Sequence, residues 1–335
     1  MRVLVTGGSG LLGSHVMAAL RARGDTVRAF VRERSRSVVL ELGAEAVPGD
    51  VTDPETWTRA AAGVDGIVHA AAIVLEPASL DTFRAVNVRG TELALAAAAR
   101  ALVPLVHVSS VAVYGRDAAF AEGQGRVGED FPFQPIPDYD FYARSKREAE
   151  LLARRVAEER GLSVVAIRPN VLFGERDRHF SPRVARVLRR GLLPCLGPGD
   201  NRLSCVYAGN VATAILAALD RPRPGFRAFN TTNDSELTQR EFFDAFAAAL
   251  GARPIPVRVP VALARLAIDT FAAARTWWSP RLYPGAARST ISFLIGENPY
   301  RSDRARAELG WRPAVAPHEA IARTAGWLHK TKGPG

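Results

Sequence analysis

Tyr142 and Lys146 stand four positions apart in Tyr142-Ala143-Arg144-Ser145-Lys146. On a helix such positions share a face. An ammonium beside a phenol favours phenolate and lowers the phenol's pKa. A phenol tuned in this way can exchange a proton with a carbonyl or alcohol oxygen. Earlier in the chain, Leu105-Val106-His107-Val108-Ser109-Ser110 reads as a strand ending in two serines. A hydroxyl there could hold the same oxygen. A tyrosine–lysine pair alone is a common surface decoration. Its place in the order glycine cluster, strand-end serine, then Tyr-x-x-x-Lys gives it meaning.

The glycine cluster opens the chain, in Thr6-Gly7-Gly8-Ser9-Gly10-Leu11-Leu12-Gly13. Apolar Val3–Val5 before it reads as a strand, Ser14–Arg23 after it as a helix closed by Gly24, and Thr26–Val31 as a second strand. Strand, tight turn, helix and strand form the setting of a dinucleotide fingerprint. The glycines permit the turn, admit a pyrophosphate close to backbone, and pack helix on strand. The helix N-terminus offers free N–H groups to phosphate. The second strand ends in Arg32, with Arg34 and Arg36 following, where an NAD site expects a carboxylate. Arginine suits the 2′-phosphate of NADP through charge-assisted bonds, so NADP(H) is expected over NAD(H).

Further elements follow. Ala46–Asp53 reads as a third strand running into a turn, with Asp50 placed to accept from an adenine amino group, and Thr52 or Asp53 caps a helix from Pro54. Gly66–Ala72 is a fourth strand whose small end, Ala70-Ala71-Ala72, suits close approach to a ligand. His69 on it reads as structural. Asn87 sits in the middle of a long alanine-rich helix ending near Leu102, where its amide is expected to bond neighbouring backbone. Leu162–Arg168 is a sixth strand, ended by Pro169. Phe180–Arg190 reads as a short basic helix, Phe226–Asn230 as a further strand, and Thr238 as the cap of a helix from Gln239 to Leu250.

The 335 residues suffice for one large or two modest domains, and 47% hydrophobic with 23% charged residues fits a soluble globular chain. The net charge of +10 comes from arginines scattered along the chain, without the aromatic interleaving of a nucleic-acid surface. Cys195 and Cys205 lack metal-ligand spacing, so no metal is expected. No leader-like segment or spanning apolar run is seen, and a cytoplasmic setting is expected.

Taken together, these motifs resemble the extended short-chain dehydrogenases/reductases, the NAD-dependent epimerase/dehydratase superfamily. The resemblance runs nearly the whole length: the Thr-Gly-Gly-x-Gly-x-x-Gly opening, Gly49-Asp50 with Asp53, Ala70–Ala72, Asn87, Ser109 to Gly115, Tyr142 with Lys146, Arg168-Pro169-Asn170, and the tail Tyr300–Pro313. It implies that Ser110 is the catalytic serine, that Tyr142 is the acid/base, and that Lys146 tunes Tyr142 and holds the nicotinamide ribose. It further implies a cofactor site of Gly7, Gly10, Leu11, Leu12, Gly13, Arg32, Asp50, Val51, Ala70, Ala71, Ala72, Asn87, Tyr142, Lys146, Pro169 and Asn170. Asn210, where sugar-nucleotide members usually carry Asp, is similar to the steroid-type and 3-oxo-lipid-type reductases, and the apolar stretch Pro260–Trp278 is similar to dihydroflavonol-reductase-like and 3β-hydroxysteroid-dehydrogenase-like members.

The expected fold is α/β: a doubly wound parallel (Rossmann) sheet with a smaller, mainly C-terminal substrate cap. The nucleotide domain is expected over 1–170 plus 203–230, and the cap over 171–202 plus 231–335. The expected activity is NADP(H)-dependent hydride transfer at a carbonyl/alcohol carbon of an apolar steroid-, polyketide- or lipid-like substrate. Pro260–Trp278, the least polar stretch, admits three readings: a core helix, an apolar substrate wall, or a peripheral membrane contact. The alternatives are a nucleotide-sugar epimerase or dehydratase, with Arg202 and Arg301 available for a diphosphate, and a non-catalytic cofactor sensor. Val111 and Ala112 beside the serine count against dehydration. The partners expected are a small-molecule substrate and a second copy of the chain in the family's usual homodimer, with no nucleic acid.

Overall fold

Val3, Leu4 and Val5 alternate between two apolar layers, Val3 and Val5 in one and Leu4 in the other. A strand buried on both faces belongs inside a helix-covered parallel sheet, and that is where the computed structural model puts it. The structure describes residues 1–74, 76–115, 127–191, 194–232, 237–253, 258–263, 266, 270 and 293–331.

The chain runs β1 (Arg2–Thr6), α1 (Leu11–Ala22), β2 (Thr26–Val31), α2 (Arg36–Glu41), β3 (Glu45–Pro48), α3 (Pro54–Ala60), β4 (Gly66–His69), α4 (Leu80–Phe83), α5 (Gly90–Ala101), β5 (Leu105–Val108), α6 (Phe141–Arg160) and β6 (Ser163–Pro169). It continues with β7 (Val171–Phe173), α7 (Phe180–Arg189), β8 (Cys195–Leu196), β9 (Cys205–Tyr207), α8 (Ala208–Leu219), β10 (Gly225–Thr231), α9 (Gln239–Ala249), β11 (Arg258–Val259) and α10 (Pro317–Thr331). Seven strands form one sheet in the order β10-β6-β5-β4-β1-β2-β3, every pair parallel. The chain reverses its winding between β1 and β4, so the sheet is doubly wound and its switch point lies there.

A second core gathers Phe173, Leu188, Phe242, Phe246 and Leu328 from β7, α7, α9 and α10. β9 pairs with β7, outside the main sheet, whereas β10 joins β6 at the sheet edge. Within the expected 203–230 segment, β10 therefore extends the sheet and β9 does not.

Two boundaries differ from the sequence reading for physical reasons. α1 begins at Leu11, three residues before Ser14, because Gly10 serves as its N-cap without any side-chain bond, a start that carries no capping signature. The long alanine-rich helix is not uniform: Arg84–Arg89 forms a π-helical stretch between α4 and α5. The widened turn holds Asn87 at a position where its amide bonds a neighbouring loop, and such bulges recur at functional sites.

Candidate active site

All seven strands end on one edge, and the sequence-predicted residues collect there. At β1, Gly7 adopts φ +70, and a Cβ on it would sit 2.9 Å from the Ala70 and Ala71 backbone. A Cβ on Gly13 would fall well inside contact distance of the Gly7 carbonyl. The turn is thus closed onto β4 and α1, while Gly10 presents the bare start of α1. The backbone N–H groups of the first helical turn are the donors an anion needs. This cradle fits the pyrophosphate of a dinucleotide.

Thr6 fastens the switch point. Its Oγ1 accepts from the N–H groups of Ala70 (3.1 Å) and Ala71 (3.0 Å) and lies 3.0 Å from His69 Nδ1. Asn87, 2% exposed, accepts from the Ile73 N–H (2.9 Å) and donates to the Ile73 carbonyl (3.1 Å) and to Ser145 Oγ (3.0 Å). The expected backbone bonds of Asn87 are present, and they join the Ala70–Ala72 loop to α6.

Arg32 follows β2 and is exposed. The Gly49 N–H donates to the Val31 carbonyl at 2.9 Å, so Arg32 and Asp50 follow adjacent strand ends. One Asp50 oxygen accepts from the Thr52 N–H (2.9 Å) and hydroxyl (2.8 Å), while Val51, half-buried, has its carbonyl bonded by Trp57 Nε1 at 2.9 Å. Asp53, not Thr52, caps α3.

Ser110, extended at the end of β5, accepts from the Ala112 N–H at 3.1 Å, and its hydroxyl lies near enough to the Tyr142 phenol to favour the ionised form. Asp140 caps α6 by accepting from the Ala143 N–H at 3.0 Å, which fixes Tyr142 in the first turn. Lys146, one turn on, is 3% exposed and donates to the Val108 carbonyl at 2.6 Å. Burial pushes the Tyr142 phenol above its ordinary value; Ser110 opposes that shift and Asp140 adds to it. The sequence reading has Lys146 lowering this phenol, but here burial governs the shift and Ser110 is the opposing group. Burial lowers Lys146 itself to about 8, against the field of Glu150.

Pro169 ends β6, and Asn170 after it is 4% exposed, its amide donating to Thr232 Oγ1 at 2.7 Å and to Asn298 Oδ1 at 3.2 Å. Asn210, read from the sequence only as a likeness to reductase-type members, has a structural task here. It is 1% exposed and exchanges two 2.9 Å bonds with the Val315 backbone, docking the tail onto α8. Arg301 pairs with Asp303 at 2.8 Å. Pro260–Trp278 lies largely outside the described residues.

One network escaped the sequence reading. Ser109 donates to Glu150 at 2.5 Å, and Arg168, with no exposed surface, grips both Glu150 oxygens and donates to Tyr114 Oη at 2.7 Å. It braces the strand end that carries Ser110. Glu150 lies one further turn along the face shared by Tyr142 and Lys146, which was the available signal. Among the described residues no cluster of metal-ligating side chains occurs, and no helix is long and apolar enough to cross a membrane.

A glycine cradle at the switch point of a doubly wound sheet defines a dinucleotide-binding α/β protein. The family comparison narrows this class. The chain belongs to the NAD dependent epimerase/dehydratase family, whose description matches residues 3–231, and it is an NAD(P)-dependent oxidoreductase of the extended short-chain dehydrogenase/reductase type. It is 32% identical over 325 residues to a 4-hydroxy-2-methyl-3-oxo-4-farnesyl-3,4-dihydroquinoline-1-oxide ketoreductase of Stigmatella aurantiaca, covering 96% of this chain and 95% of that one. It is 32% identical to a 2-alkyl-3-oxoalkanoate reductase of Stenotrophomonas maltophilia, covering 96% and 98%. Among solved structures, gox2253 superposes with a TM-score of 0.77 at 27% identity, covering 98% of each chain. A UDP-glucose 4-epimerase of Thermotoga maritima shares the fold, with a TM-score of 0.75 at 21% identity over 99% of each chain.

Proposed function

We propose that this enzyme reduces a ketone on an apolar, lipid-, polyketide- or steroid-like skeleton, with NADPH as reductant and Ser110, Tyr142 and Lys146 as the reacting constellation. The closeness of the Ser110 hydroxyl to the Tyr142 phenol at the sheet's C-terminal edge, with Lys146 one helical turn on, carries this reading. The ketoreductase, oxoalkanoate reductase and 3 beta-hydroxysteroid dehydrogenase names of its relatives support the substrate class.

When bound, the dinucleotide supplies the hydride. Gly7 and the Gly10–Gly13 turn hold the pyrophosphate, Arg32 the 2′-phosphate, and Asp50 and Val51 the adenine. Ala70–Ala72 form a wall of small residues, Lys146 reaches the nicotinamide ribose, and Pro169 and Asn170 border the nicotinamide end. Ser110 donates a hydrogen bond to the substrate carbonyl oxygen. Tyr142, protonated at neutral pH, gives its proton to that oxygen as the carbon is reduced, so the alcohol forms without a free alkoxide. The segments 171–202 and 231–335, apart from the stretch with Ala305, Leu309 and Trp311 that packs into the core of the main sheet, act as the cap over the apolar substrate.

A panel of apolar 3-oxo acids, steroid ketones and alkylated quinoline ketones tests the proposal by NADPH consumption. Turnover of at least one class is expected. No consumption, together with thermal stabilisation by a UDP- or GDP-sugar, would replace it with the epimerase/dehydratase reading.

A further inference from the structure

Residues 3–20, from β1 through most of α1, contain neither lysine nor arginine. The cradle for a doubly charged pyrophosphate therefore offers backbone dipoles but no cationic side chain of its own. A cation does reach it from elsewhere. Arg178, in the turn between β7 and α7, is exposed, and its Nη2 donates to the Ser9 carbonyl in the glycine turn at 3.2 Å. Among the described residues no carboxylate pairs with it.

The turn bearing Arg178 is pinned at both ends. At Gly174, φ +152, a Cβ would stand 3.1 Å from His15 Nε2 and 3.4 Å from Leu11 Cδ1, so the turn lies directly against the start of α1. The Glu175 carbonyl lies 3.3 Å from His15 Nε2, and its carboxylate accepts from Tyr207 Oη at 2.8 Å. Asp177, 2% exposed, accepts from the N–H groups of His179 (2.8 Å), Phe180 (3.2 Å) and Ser181 (2.6 Å) and from the Ser181 hydroxyl (2.7 Å). Between these anchors Arg176 takes φ +67, a left-handed conformation rare for a residue with a side chain. Surrounding contacts of this kind hold such a backbone in place, and strained turns cluster at ligand clamps.

We propose that Arg178 is a phosphate ligand of the dinucleotide, supplied from the segment leading into the cap rather than from the fingerprint. This rests on the cofactor reading above. With a pyrophosphate in the cradle, the guanidinium exchanges its neutral carbonyl partner for, or adds to it, an anionic one, and its forked donors suit two phosphate oxygens. Cofactor occupancy and the position of the cap-side turn are thereby coupled.

Calorimetric titration of wild type, R178A and R178K with NADPH, NADH and adenosine 2′-monophosphate, which lacks the pyrophosphate, tests the assignment. R178A should weaken NADPH and NADH alike, by about tenfold to a hundredfold, the scale of one charge-assisted contact. Adenosine 2′-monophosphate should bind unchanged, R178K should recover part of the loss, and the salt dependence of NADPH binding should become shallower in R178A. Dinucleotide binding in R178A equal to that of wild type overturns the Arg178 assignment alone, as does an equal loss for adenosine 2′-monophosphate. Wild type binding neither dinucleotide overturns the cofactor reading, and the Arg178 assignment with it.

Discussion

Tyr142 and Arg32 show two ways in which a side chain's surroundings set its role. Burial and Asp140 raise the phenol of Tyr142 above its ordinary value, so it is protonated at neutral pH, as the proposed role of acid in carbonyl reduction requires. Arg32 stands exposed at the end of β2, and the proposed NADPH site would bring its 2′-phosphate to this guanidinium. Arg32→Ala should raise the KM for NADPH by about tenfold to a hundredfold and leave that for NADH nearly unchanged. Steady-state kinetics with both cofactors checks this, and an equal change in the two constants would count against the 2′-phosphate contact. Tyr142 and Lys146 were legible in the sequence because helical spacing alone puts them on one face. Thr6, Ser109 and Arg168 were not. Their partners lie 64, 41 and 18 residues away, and only the strand order brings them together.

At the scale of elements, β4 and β5 carry His69 and His107 at paired positions beneath the site. Their rings stack at 5.9 Å, and neither nitrogen of His107 has a partner among the described residues. Burial, aided by Lys146, lowers both, His69 to about 3 and His107 well below its ordinary value. The folded protein thus holds both neutral, while the unfolded chain binds protons below about pH 6.5. Unfolding then takes up protons, so stability is retained above that pH and falls as pH drops below it. Urea titrations should show a loss of about 2 kcal/mol between pH 6 and pH 5, roughly halved in His107→Gln. A stability flat over that interval would show that the pair is not held neutral. The strands and helices were largely readable from apolar runs and caps such as Asp53 and Thr238. The π-helical stretch at Asn87 was not, because an inserted residue leaves composition and apolar pattern almost unchanged.

For the whole molecule, the sheet and the second core divide the labour. The seven strand ends gather the dinucleotide cradle, Ser110 and Tyr142 on one edge, and a separate aromatic core forms around Phe173, Phe242 and Phe246. Asn210, whose type marks a likeness to reductase-type members, forms a joint between α8 and the C-terminal tail. The central claim is that Tyr142 protonates the oxygen of a ketone reduced at this edge. Single-turnover reduction of an accepted ketone by Tyr142→Phe, with NADPH affinity measured on the same preparation, tests it most directly. A rate lower by about a hundredfold to ten-thousandfold is expected, with cofactor affinity little changed; unchanged ketone turnover in Tyr142→Phe would mean that another group supplies the proton.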